Sequence, residues 1–144
     1  MNPGERRFGV VDRTGTPLGF SCLAKSPSAA AKKAFYVSLR KQPSERVVSI
    51  RRASEDSAIA VPREDDVKAL VAELVGDGEA LEGITERYLS AARACVNQTA
   101  VIHVVEDGKP RIWSYNVHRA PRWPFNRHQI MKGIYTSTFA KRVR

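Results

Sequence analysis

Asp107-Gly108 lies between two runs that alternate apolar and polar residues, 99–106 (TAVIHVVE) and 109–119 (KPRIWSYNVHR). This pattern leaves the second half of the chain little choice but an antiparallel hairpin. Alternation puts one side of each strand on a core, and an Asp-Gly pair suits a two-residue turn. Such a turn predicts Glu106 opposite Lys109, Val104 opposite Arg111 and Ile102 opposite Trp113. Which side of the second strand is core stays open. Trp113, Tyr115 and Val117 share a side with Arg111 and Arg119, while Ile112 stands on the other.

The first half repeats the device. Phe8 and Val10 alternate within residues 7–12, as do Leu18, Phe20 and Cys22 within 18–23, with a turn-rich spacer at 12–17 (DRTGTP). Ser26-Pro27 predicts a helix start, because the Ser hydroxyl accepts from an orphan N–H and proline at the first helical position loses no hydrogen bond. The helix is expected to run to about Arg40. Ala30, Ala31, Ala34, Phe35 and Val37 form its buried stripe, and Lys32, Tyr36 and Arg40, with Lys33 beside them, form a basic face. Pro43 ends it, and the β-branched residues within 46–52 (RVVSIRR) predict a third strand.

Helical periodicity takes over further on. Val67, Leu70, Val71, Leu74 and Val75 fit an amphipathic helix over 64–75, with Glu64, Asp65 and Asp66 at its positive end. Gly76-Asp77-Gly78 breaks the chain. A second helix over about 79–97 then carries Leu81, Ile84, Tyr88, Ala91 or Ala92, and Cys95 on one side, completing an αα-hairpin. Residues 122–144 have no clear period and no acid, and they read as a basic extended arm. Its Ile130, Met131, Ile134, Tyr135 and Phe139 are too many apolar groups for a solvated tail, so something should cover them.

The expected architecture is therefore α+β: a small twisted antiparallel sheet of two hairpins plus a linking strand, one packed basic helix, and an inserted acidic αα-hairpin. Residues 1–121 would form a single basic domain with the acidic insert at about 55–98, followed by the arm. A chain of 144 residues supports one such core.

Charge narrows the function. The formal net charge is +9, and its signs are segregated: residues 1–53 hold 11 Lys and Arg against 3 Asp and Glu, residues 54–98 hold 4 against 10, and residues 99–144 hold 9 against 2. Two basic segments flanking an acidic one predict a shared cationic surface for a polyanion. The candidate contacts are Lys25, Lys32, Lys33, Arg40, Arg51, Arg52, Lys109, Arg111, Arg119 and Arg122, with Trp123 as the aromatic best placed to touch nucleic acid. Cys22 and Cys95 have no second ligand at metal spacing, and His103, His118 and His128 lack a nucleophile in a recognisable setting, so no metal, cofactor or catalysis is expected. The sequence has no apolar stretch of membrane-spanning length, and no apolar run follows Arg6-Arg7 to make a signal peptide. It reads as unsecreted.

Beyond pattern, the residues carry a likeness. Arg6-Arg7-Phe8, Asp12, Gly15, Gly19-Phe20, Lys25, Pro27, Ala30-Ala31 and Lys33-Ala34, followed by Gly108-Lys-Pro-Arg-Ile-Trp-Ser-Tyr115, form a succession that resembles the methanogen chromosomal protein family. Its members are small archaeal proteins that bind and bend double-stranded DNA. Similar patterns mark histone-like nucleoproteins of large DNA viruses and dinoflagellates. The resemblance covers residues 6–52 and, more loosely, 99–124; the acidic helical pair, the longer arm and Pro110 depart from it. It implies a largely sequence-independent architectural or packaging protein for double-stranded DNA in a nucleoid, nucleus or virion. The alternative is a structural component of a virion or ribonucleoprotein that holds RNA or neighbouring proteins. A protein partner at the αα-hairpin or arm, or a second copy of the chain, completes the expected partners.

Overall fold

In a computed structural model, which describes residues 3–52, 60–95 and 98–143, the chain runs in ten elements. They are β1 (Arg6–Val11), β2 (Pro17–Ala24), α1 (Pro27–Leu39), a 3-10 turn (Pro43–Glu45), α2 (Glu64–Val75), α3 (Ala80–Ala94), β3 (Thr99–Glu106), β4 (Ile112–Pro121), α4 (Arg127–Met131) and β5 (Thr136–Val143). The fold is α+β, with a five-stranded antiparallel sheet in the order β2-β1-β3-β4-β5. None of the described helices is long and apolar enough to cross a membrane. The expected start of the acidic insert near 55, the end of the second helix at Asn97, and Arg144 lie outside the described residues.

The chain divides into two compact units, Met1–Arg51, Thr99–His118 and Thr138–Arg144 in the first, and Arg52–Gln98 and Arg119–Ser137 in the second. In the first unit, Ser26 Oγ accepts from Ala29 N at 3.2 Å and Pro27 opens α1, as the Ser-Pro pair predicts. Ala30, Ala31, Ala34 and Phe35 are buried against Phe8 and Val10 of β1, Ile102 and Val104 of β3, and Tyr115 and Val117 of β4. Small alanines let the helix lie close to the sheet, and fully burying Phe35 contributes about 1.5–3 kcal/mol. This burial settles the face left open in β4: Tyr115 and Val117 point to the core and Ile112 is exposed.

Three expectations are corrected. Residues 46–52 form no strand; after the 3-10 turn they make a single bridge, Arg51 to Thr99. Side-chain ties hold this segment instead of a ladder: Arg46 Nε donates to Ser38 O at 2.9 Å, Val48 N donates to Ser38 Oγ at 3.4 Å, and Val48 is buried. The β3–β4 register is offset by two residues, with Val104 opposite Trp113 and Ile102 opposite Tyr115. Gly108 takes φ 79° while, among the described residues, none other than glycine has positive φ. The turn is therefore not the mirror-image type that needs positive φ at both central residues and sets a flush two-residue hairpin. Lys109 N still bonds Glu106 O at 3.0 Å, but Pro110 has no N–H for a ladder, and β4 begins only at Ile112. An offset of two keeps every side chain on its expected face.

The third correction is the C-terminal arm, which is structured. Asn126 and Gln129 form a reciprocal capping box on α4, and β5 joins the sheet beside β4.

In the second unit, the two acidic helices pair through Val67, Val71, Ile84, Tyr88, Leu89 and Ala92. Phe125 and Ile130 of the supposed arm complete that core, which answers what covers part of its apolar content. Tyr88 lies at the centre, its ring 4.8 Å from that of Phe125, and its hydroxyl donates to Arg122 O at 3.0 Å. Burial pushes this hydroxyl up to about 12.

Candidate nucleic-acid interface

The candidate residues fall by element into the two units. Lys25, Lys32, Lys33, Arg40, Arg51, Lys109 and Arg111 belong to the first; Arg52, Arg119, Arg122 and Trp123 belong to the second. Among described residues the first unit holds 14 Lys and Arg against 5 Asp and Glu, and the second holds 9 against 8. Residues more than sixty positions apart in sequence, such as Arg40 and Arg111, thus share one compact, strongly basic unit.

One group of cations gathers where α1 meets β2, an edge strand of the sheet. Lys33, Tyr36, Val37 and Arg40 line a groove with Phe20, Ser21 and Cys22. Lys33 Nζ donates to the Leu23 carbonyl, and Arg7 reaches Ser21 Oγ at 3.4 Å. Burial pushes the Cys22 thiol up, and the charges of Lys33 and Arg7 pull it part of the way back. Lys32 is half-buried on the same helix, and Lys25 is exposed one residue before its N-cap. Tyr36, placed on this face by periodicity, is exposed, but its hydroxyl accepts from Thr138 Oγ1 of β5 at 2.8 Å.

A second group lies where the chain enters β4 and on β5. The Arg111 guanidinium carbon sits 3.8 Å from the centroid of the Trp113 ring, and that of Arg142 sits 4.7 Å from it. Lys109 is exposed in the preceding turn. Arg51 stands apart from both groups, lining a groove with Arg13, Leu18, Val101 and His103. Only two ion pairs occur among the described residues, Arg6 with Glu106 and Lys68 with Glu82, so none of the candidate cations pairs with a described carboxylate.

The second unit uses its candidates differently. Arg119 spends its guanidinium on Gln98 Oε1 at 2.6 Å and on Thr136 Oγ1, and Arg122 is half-buried, its Nε lacking a protein partner. Arg52 is exposed. Trp123 is 42% exposed and borders the Tyr88 cluster, its ring centroid 5.6 Å from that of Phe125.

Sequence reasoning missed Arg7 and Arg142. Arg7 alternates with Phe8, the signal that places it on the opposite face at the β1–β2 pair. Arg142 was legible only as one more charge in an arm, because no period announced β5. Among the described residues, no group of three or more His, Cys, Asp or Glu side chains is placed to hold a metal ion. Compared with known proteins, the chain matches no protein-family model, no curated protein and no solved structure.

Proposed function

We propose that the protein is a non-enzymatic binder of double-stranded DNA that acts largely without regard to sequence, in an architectural or packaging role. The observation that carries this reading is the charge of the first unit. Basic segments from both ends of the sequence contribute 14 cations against 5 acids to one fold, and α1, the residues leading into β4, and β5 present theirs without carboxylate partners among the described residues. Cations left unpaired by the protein suit a polyanion whose bound counterions they replace. The likeness of residues 6–52 to the methanogen chromosomal protein family points the same way.

A second reading, a structural component of a virion or ribonucleoprotein, draws on a different feature. Met131 and Ile134, in the segment that packs Ile130 and Phe125 inward, stay 56% and 39% exposed, as an assembly contact would leave them in an isolated chain.

The test is the affinity for unrelated duplexes of equal length, measured across a KCl series. Each phosphate contact steepens the log–log salt slope by about 0.9. DNA packaging predicts a steep slope shared by all sequences; no binding of DNA or RNA at low salt favours the protein-assembly reading.

A further inference from the structure

We infer that Arg111, Trp113 and Arg142 form a paired-guanidinium site for a single phosphate group, with the indole as its platform. The inference rests on the polyanion reading above and deepens it: it names a discrete, geometrically built contact within a basic surface, and it assigns Arg142 to that contact.

Two like-charged guanidiniums over one ring repel each other, and neither pairs with a carboxylate of a described residue. Glu106, the acid across the hairpin, is held by Arg6. What favours the arrangement is the indole, whose negative π face attracts both cations. Neither guanidinium hydrogen-bonds to another described residue, and a guanidinium fork matches two oxygens of a phosphate. Stacking also restrains two long side chains in advance, so less rotamer freedom is lost when an anion binds. An ammonium shares neither property.

The surroundings suit an anion. Ile112, Ser114 and Val143 complete the described lining of an open cleft of about 530 Å³, and none of these residues is acidic. Tyr115, next on the core face of β4, feels both charges: burial raises its hydroxyl, and Arg142 and Arg111 pull it back down. Both arginines line this one cleft together with the Trp113 ring.

The experiment uses the full chain and two probes, inorganic pyrophosphate and a short DNA duplex. The readouts are the Trp113 indole N–H and the Arg111 and Arg142 Nε–H resonances in 1H–15N spectra, together with duplex affinity across KCl concentrations. Pyrophosphate at millimolar concentration should shift all three resonances, and Arg142→Ala should abolish the Trp113 response. For the duplex, Arg142→Ala and Arg111→Ala should each lower affinity about tenfold, as expected for loss of a charge-assisted contact, and reduce the salt slope by about one unit. Arg142→Lys should restore the slope but not the affinity. Unchanged urea midpoints in these variants establish that the fold is intact.

If the wild type binds the duplex and either Ala variant binds equally well, the site is rejected while the polyanion reading stands. Full rescue by Arg142→Lys also rejects it, since charge alone would then suffice. If the duplex does not bind at low salt, the polyanion reading fails, and the pyrophosphate arm judges the site: a Trp113 response lost in Arg142→Ala sustains it as a free-phosphate site, and no response overturns it.

Discussion

The first unit packs an alanine-lined helix on a sheet and carries 14 cations against 5 acids; the second packs two acidic helices around Tyr88 and is nearly neutral, at 9 against 8. Both bury comparable sets of apolar residues, so the difference lies at the surface. A charge needed only for solubility would be shared between them. Its concentration in one unit argues for a function seated there. The arginines make the same point. Arg111 and Arg142 offer their guanidiniums over an indole, whereas Arg119, on the same strand as Trp113, is consumed by Gln98 and Thr136.

The largest expected effects separate the two cores. Phe35→Ala in the first unit and Tyr88→Ala in the second should each cost about 3–5 kcal/mol in urea unfolding, as aromatic truncations in packed cores do. Tyr88→Phe, which removes only the hydroxyl bonded to Arg122 O, should cost about 1 kcal/mol. A Tyr88→Ala cost below that of Tyr88→Phe would mean that the aromatic cluster is not a core.

The surfaces should part next. Replacing Lys32, Lys33 and Arg40 together with Ala should reduce the salt slope of duplex binding by up to about three units, with stability little changed. The same replacement at Arg63, Arg87 and Arg93 of the second unit should leave the slope where it was. Equal losses from both triplets would erase the contrast.

Helix caps come third. Ser26→Ala in the first unit and Asn126→Ala in the second should each cost about 1 kcal/mol, read from the same unfolding curves.

Within mildly acidic and alkaline buffers, short of the folded pKa values, the smallest effect is in pH, with opposite signs for the two units. Desolvation lowers His118, in the first unit, below its ordinary 6.5. The unfolded chain therefore binds that proton more readily. Its contribution is present above pH 6.5 and is lost as pH falls through the folded value. Asp12 adds to this at lower pH, since hydrogen bonds from Thr14 and Thr16 hold its carboxyl below the usual 3.8. Tyr88, in the second unit, moves the other way: raised to about 12, its contribution is intact below pH 10 and fades as pH climbs past it. Urea midpoints in mildly acidic and in alkaline buffer, for wild type, His118→Gln and Tyr88→Phe, check the signs.

Where one local rule dominated, the sequence was legible. The Ser26-Pro27 start of α1, the limits of α2 and the apolar stripes of α2 and α3 follow from capping and a 3.6-residue period, and they appear in the structure as read. The linking strand failed because β-branched composition describes fitness for a strand without supplying a partner for its backbone. The ladder places at both sheet edges went to β2 and β5. The arm failed for the opposite reason. Its short α4 and its strand, with Phe139 facing His118 and Ala140 packed toward the core, have no long period, though the Asn126…Gln129 spacing was a helix-start signal in plain view. In the candidate site, the α1 face was readable because it is helical and local. The pairing of Arg142 with Trp113 was not, because it needs β5 placed beside β4.

Backbone 1H–15N shifts on titrating a short duplex into the full chain test the central claim most directly. Perturbations are expected at Lys32 and Lys33 of α1 and its C-cap Arg40, at Arg111 just before β4, at Trp113 of β4 and at Arg142 of β5, with α2 and α3 silent. Perturbations centred on α2 and α3, or none at low salt, would contradict it.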